Sequence, residues 1–192
     1  QFSPSDISGQ VLWLDSNDAS TLFVNNDCTT TAVTANGDKV GCWKDKSTAA
    51  NHMIKATDSK KPTYATNSYN NLPALRFAET ASQYMASVAG GFVGPITLYA
   101  VTRNGSCVPS AGACTFGIVQ FGSESAGSKR RLVGIYNSGS YLFALNLWGA
   151  TATTTTSASS TPTIFGSTMS NTGAANLFSN GKLNTSANLT TI

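Results

Sequence analysis

Apolar residues recurring with helical spacing are hard to find along this chain. Short apolar or alternating runs separated by Gly, Asn, Ser and Asp take their place, a pattern that packed antiparallel sheets satisfy and helical folds do not. Strands are expected at residues 11–14, 41–43, 74–77, 84–88, 96–102 and 116–121. Residues 132–136 and 141–148 read as a hairpin around Asn137-Ser138-Gly139-Ser140. Residues 175–178 and 182–183 flank Asn180-Gly181, a pair that accepts positive φ at both centres of a type I′ turn. A short helix is expected over 18–22 with Asp18 as its N-cap. Residues 150–163, nearly all Thr, Ser and Ala, are either a low-complexity linker or a polar strand followed by a long loop.

A chain of 192 residues is long enough for one sizeable core, and all-β sandwiches often reach this length as one domain, so residues 1–192 are expected to be a single module. Charged residues make up 11% of the chain, well below the usual quarter, with hydroxyls and amides in their place, which suits an extracellular β-protein. The formal charge of +3 is too small and dispersed to suggest nucleic acid. Lys129-Arg130-Arg131 reads as a hairpin flank or a guard against strand pairing. No apolar run approaches the length of a membrane-spanning helix, so no membrane insertion is expected. Beginning at Gln1, the chain reads as a processed mature form or an excised domain.

Four cysteines are present, and none forms a Cys-x-x-Cys zinc or redox pattern. Two local disulfides are the economical reading. Cys107 and Cys114 bracket a Val-Pro-Ser-Ala-Gly-Ala loop, and Cys28 and Cys42 bracket the turn-rich Asn36-Gly37-Asp38, although three connectivities are formally open. Local pairing implies an oxidising compartment outside the cytosol.

The series Leu12-Trp13-Leu14-Asp15, Trp43-Lys44-Asp45-Lys46-Ser47 and Leu72-Pro73-Ala74-Leu75-Arg76-Phe77, with its lead-in Phe2-Ser3-Pro4-Ser5-Asp6-Ile7, resembles the opening of laminin-G-like, concanavalin A-like jelly-roll modules of bacterial, archaeal and phage surface proteins. Asn51-His52, Lys61-Pro62-Thr63-Tyr64 and Tyr84 fit the same order, and beyond Val101 the likeness reduces to pattern, with Asn180-Gly181-Lys182 resembling the family's hairpin. The resemblance implies an antiparallel β-sandwich used for carbohydrate binding, adhesion or architecture, with inward positions at Trp13 and Leu14 and a structural role for Asp15. Modules of this kind continue past the asparagine-glycine hairpin into a further strand. This chain stops at Ile192, so either residues 184–192 fold back to close the sheet or a neighbouring subunit supplies a strand.

Catalytic chemistry is hard to assemble from these residues. Glycosidases on this fold place two glutamates and an aspartate close together on one strand, whereas Glu79 and Glu124 are far apart and lack acidic neighbours. His52 is the only histidine, and no Gly-x-Ser-x-Gly turn presents a serine. No acid occurs after Glu124, so the C-terminal third offers no carboxylate side chain to a metal. Asn25, Asp27 and Asp38 are candidate calcium ligands or, alternatively, turn-forming Asx side chains; no other cofactor is expected. Tyr136, Tyr141 and Trp148 are candidate sugar-stacking aromatics or, alternatively, core. Sequons at Asn104, Asn184 and Asn188 permit glycosylation. The expectation is therefore a non-catalytic extracellular, cell-surface or virion subunit that self-assembles or meets neighbouring subunits through strand edges. A glycan-binding lectin-type module is the alternative.

Overall fold

A computed structural model of the protein describes residues 3–78, 81–87, 94–103, 115–121, 131–137, 141–147, 150–157 and 162–189, with backbone alone over 115–157. Within them the chain is all-β: fourteen strands pair antiparallel in four sheets, and the helical content is three single turns of 3-10 helix. It divides into two compact units, Gln1–Gly90 and Gly91–Ile192.

The first unit has little regular structure for its length. Its strands β1 (Leu22–Phe23), β2 (Cys42–Trp43), β3 (Met53–Ile54) and β6 (Ala86–Ser87) form one small sheet in the order β1-β2-β3-β6, while β4 (Thr63–Tyr69) and β5 (Leu72–Arg76) form a hairpin. That hairpin turns at Asn70 and Asn71, both with positive φ (48° and 59°), a conformation Asn tolerates better than most residues. Leu22, Val33, Val40 and Tyr64 make the core, with Val24, Trp43, Leu75 and Met85 packed on it. Each fully buried aliphatic side chain here contributes about 1.5–3 kcal/mol. The loop between β1 and β2, which contributes Val33 and Val40 to that core, is held by further contacts as well. The Cys28–Cys42 disulfide staples its ends, and closing a loop of 14 residues removes denatured-state entropy worth about 3 kcal/mol in the chain-entropy model. The buried Lys61 ammonium donates to the Val24 carbonyl at 2.9 Å and pairs with Asp58 at 3.2 Å. Gly41 allows the closest approach, since a Cβ there would lie 2.2 Å from the Val24 oxygen.

The second unit contains two four-stranded sheets. The chain runs along β7 (Ile96–Thr102) and then builds a meander of β8 (Thr115–Phe121), β9 (Arg131–Asn137), β10 (Tyr141–Leu147) and β11 (Ala150–Ser157). It returns with β12 (Thr163–Met169) laid antiparallel on β7, and β13 (Ala174–Ser179) and β14 (Lys182–Asn188) complete the order β14-β13-β12-β7. Phe165, Met169, Ala175 and Leu177 alternate into the buried face of this sheet. Asn180 and Gly181 adopt φ of 49° and 78°, as the type I′ expectation requires. Of the two readings of residues 150–163, the polar strand is the one observed, over Ala150–Ser157. Residues 184–188 continue along β13 as part of β14, and Leu189 is buried with its N–H on the Gly173 carbonyl at 2.9 Å, so this tail folds back on its own sheet.

Two local expectations are corrected. Residues 18–22 form a single 3-10 turn, Ala19–Thr21, behind Asp18. Residues 11–14 are not a ladder strand, because their polar backbone groups are taken by side chains and a turn instead of by a neighbouring strand. Asp45 accepts the Trp13 N–H at 2.7 Å, the Trp13 carbonyl accepts the Lys46 N–H at 2.8 Å, and Asn51 Nδ2 donates to the Val11 carbonyl at 2.8 Å. The Lys46 ammonium lies over the Trp13 ring at 4.6 Å and reaches Asp18 at 2.7 Å and Asp15 at 3.2 Å.

Asp45 is the centre of this dock. It is 6% exposed and also accepts the Ser47 N–H (2.8 Å), the Ser47 hydroxyl (2.6 Å) and the Asn51 N–H (2.8 Å). Burial by itself would raise its pKa, but the Ser47 hydroxyl and the three backbone donors outweigh burial and hold it below the usual aspartate value. A carboxylate whose folded pKa is depressed gives stability that is complete above its unfolded value and is lost as pH falls through the folded one. Unfolding in urea followed by Trp13 and Trp43 fluorescence should therefore show the first unit weakening below about pH 4. Asp45→Asn should cost about 2–3 kcal/mol at neutral pH, because its amide cannot accept at both positions, and should make the acid limb shallower. An unchanged acid limb in that variant would refute the assignment.

Candidate functional site

Of the residues singled out in the sequence, Cys28 and Cys42 form the expected disulfide, with an S–S distance of 2.02 Å, whereas Cys107, Cys114, Asn104, Trp148, Glu79 and Glu124 lie outside the described residues. Tyr136 on β9 pairs with Leu142 and Tyr141 on β10 pairs with Asn137, successive rungs of one ladder. Asn184 donates to the Ser179 hydroxyl at 2.6 Å and to the Lys182 carbonyl at 3.1 Å, while Asn188 is exposed near the end of β14. His52 Nδ1 accepts the Asp45 N–H at 3.2 Å, which ties the ring to the dock.

The oxygen-rich loops are engaged as turns. Asp27 accepts the Thr30 hydroxyl and the N–H groups of Thr30 and Thr29, and these bonds lower its pKa to about 2. Asp38 accepts the N–H groups of Ala35 (2.8 Å) and Thr34 (3.0 Å), which lower its pKa as well. Asn25 Nδ2 donates to Thr30 Oγ1 at 2.9 Å. Among the described residues, no three His, Cys, Asp or Glu side chains gather as ligands for a metal ion. All seven aspartates of the chain lie in the first unit, and each holds a turn or an ion pair.

A surface with binding character is found instead on the outer face of the sheet β14-β13-β12-β7. Alternation turns Tyr99 and Val101 of β7, Ile164 of β12 and Leu183 of β14 outward, and they are 65%, 73%, 51% and 51% exposed. Opposite Tyr99 the ladder carries Gly166, and opposite Gly166 it carries Phe178. A Cβ on Gly166 would stand 3.0 Å from Cδ1 and Cε1 of the Tyr99 ring and 3.4 Å from the Phe178 Cβ. The ring therefore lies across the glycine, folded back over its own sheet. Next to it runs a polar ladder in which Ser186 Oγ donates to Asn176 Oδ1 at 2.6 Å and Asn176 Nδ2 donates to Thr168 Oγ1 at 3.2 Å. Among the described residues, no charged side chain lies at the outward positions within these four strands, so the face offers aromatic area, aliphatic area and neutral hydrogen-bonding groups.

Sequence reasoning placed strand 96–102 but did not single out Tyr99. Ile96, Leu98 and Ala100 on one face and Tyr99 and Val101 on the other are all apolar, so alternation does not reveal which side is exposed. A glycine within β12 was the available signal, since Gly inside a strand often marks the close approach of another group. No protein-family model, no curated protein and no solved structure matches this chain.

The packing of Tyr99 on Gly166 leads to a double-mutant test. Gly166→Ala should destabilise by about 1–3 kcal/mol, as overpacking does, by forcing the ring off the sheet. Combined with Tyr99→Ala, the same change should cost clearly less than the two single effects summed, because the clash is gone. Urea titrations of the four proteins measure this, and strict additivity would show that ring and glycine do not touch.

Proposed function

We propose that this chain is an extracellular β-sandwich of the laminin-G-like, concanavalin A-like jelly-roll type, serving as a non-catalytic structural or adhesive subunit of a microbial surface assembly, filament or virion. The edge formed by β7 carries the reading. A strand at the edge of a sheet presents unpaired N–H and C=O groups, and monomeric proteins blunt such edges with charge, proline, bulges or covering segments. Strand β7, Ile-Thr-Leu-Tyr-Ala-Val-Thr, has no charge, proline or glycine and pairs with β12 in unbroken register over all seven residues. On its other side no strand pairs with it among the described residues. The opposite edge, β14, differs: Lys182 opens it, its register with β13 shifts between Leu177 and Phe178, and β11 runs close by. Among the described residues one edge is guarded and the other is unpaired, and an unpaired, unguarded edge is what a subunit that meets its neighbour through a strand offers.

The disulfide Cys28–Cys42 supports an oxidising compartment outside the cytosol. Among the described residues no helix is long and apolar enough to cross a membrane. A second reading, recognition of a neutral glycan, is favoured by the Tyr99 ring beside the Thr168, Asn176 and Ser186 ladder, because a flat aromatic surface suits the apolar face of a sugar ring.

Sedimentation velocity over a wide concentration range, run beside a neutral-glycan array, separates the two. The proposal expects species larger than the monomer that grow with concentration, and no glycan binding that Tyr99→Ala abolishes. A monomer at every concentration, binding glycan through Tyr99, would reject the assembly reading in favour of the lectin.

A further inference from the structure

We infer that β7 pairs with β7 of a second copy of this chain, antiparallel about a two-fold axis through Tyr99, joining two four-stranded sheets into one continuous sheet of eight. The inference rests on the reading of the chain as a subunit that assembles through strand edges, and it names the partner and the register.

Self-complementarity of the strand selects a second copy over a foreign segment. In this register Leu98 of one copy faces Ala100 of the other, Val101 faces Thr97 and Ile96 faces Thr102. At each of these rungs the larger apolar side chain meets a smaller one or a hydroxyl-bearing one, and directly opposed side chains in antiparallel sheets are close enough for such matching to count. The remaining rung sets Tyr99 against Tyr99. Two tyrosines would crowd each other there if their rings stood upright, but in this chain the ring lies back across Gly166 of its own β12 and leaves the rung clear. Val101, the most exposed of the large apolar residues on this face, is covered in the process.

The flanking residues fix the register. Sliding the two-fold axis to residue 98 brings Pro95, which has no N–H, into the ladder opposite Val101. Sliding it to residue 100 brings Arg103 opposite Thr97 and leaves Ile96 and Thr97 at the margin. Only the axis at Tyr99 uses all seven residues of β7 and excludes both Pro95 and Arg103. A two-fold contact of this kind is isologous and closed, so it produces a dimer; further growth needs other surfaces. Because the axis stands perpendicular to the sheet, the uncharged outer faces of the two copies become one surface.

Charge exchange at the axis tests the inference. Tyr99→Lys and Tyr99→Glu each place like charges directly opposite, so each variant alone should lose dimer, with self-association weaker by on the order of tenfold or more. Mixed in equal amounts, the two should recover dimer as a heterodimer, which a merely structural role for Tyr99 would not produce; circular dichroism checks that each variant is folded. In a second arm, Tyr99→Cys should give a disulfide-linked dimer on mild oxidation, whereas Thr172→Cys, in the exposed β12–β13 turn, should not at the same protein concentration. A mixture no more dimeric than its separate components, or equal crosslinking at both positions, overturns the inference. Wild-type protein that forms large species unaffected by Tyr99→Lys overturns the β7 pairing while leaving the assembly reading intact. A monomeric wild type overturns both.

Discussion

Seven consecutive rungs between β7 and β12 hold the second unit together, and they join segments that the meander β8–β11 keeps far apart in sequence. Closing so long a connection is entropically less costly than its length suggests, because the cost grows only with the logarithm of loop size. It is slow, however, since non-local pairs must be found before they stabilise anything. Most of the outer face follows from that ladder. Its register sets Gly166 beneath Tyr99 and turns Val101 and Ile164 outward together, and it leaves β7 as the terminal strand.

The first unit solves its organisation differently. Outside the β4–β5 hairpin its strands are only two residues long and satisfy little of its backbone through ladders, so single side chains take over the accounting that buried polar groups demand. Asp45 gathers donors from Trp13, Ser47 and Asn51, Lys61 supplies a donor to Val24, and Asp27 and Asp38 close their own turns. The loop from Val24 to Gly41 thus has a course fixed by these bonds as well as by the burial of its Val33 and Val40, and the absence of a side chain at Gly41 is as necessary to that course as the disulfide.

Features carried by local chemistry were legible in the sequence, and those decided by pairing partners were not. Residues 96–102 read as a strand because all seven are β-branched, aromatic or aliphatic, and Asn180-Gly181 read as a turn because few other pairs accept positive φ twice. The strand over residues 163–169 was overlooked, since Gly166 and Ser167 interrupt its apolar pattern and Pro162 precedes it. The hairpin at Asn70-Asn71 carried the same positive-φ signal as Asn180-Gly181 without the glycine that makes the signal conspicuous. Residues 11–14 looked like a strand by composition, but whether an extended segment joins a ladder depends on what stands beside it, and here that neighbour is a carboxylate. The outer-face site was illegible for a related reason: Tyr99 gains its character from Gly166, more than sixty residues away.

The gathering of all seven aspartates in the first unit also leaves the chain electrically lopsided. From residue 91 onward Glu124 is the only acid, against Arg103, Lys129, Arg130, Arg131 and Lys182, so all of the excess positive charge belongs to the second unit. The first, rich in carboxylates, is close to neutral. Before contact, the field of such a charge acts over roughly a Debye length, about 8 Å at physiological salt. An anionic surface would therefore attract the second unit more strongly than the first, a preference that dilute salt strengthens and concentrated salt erases.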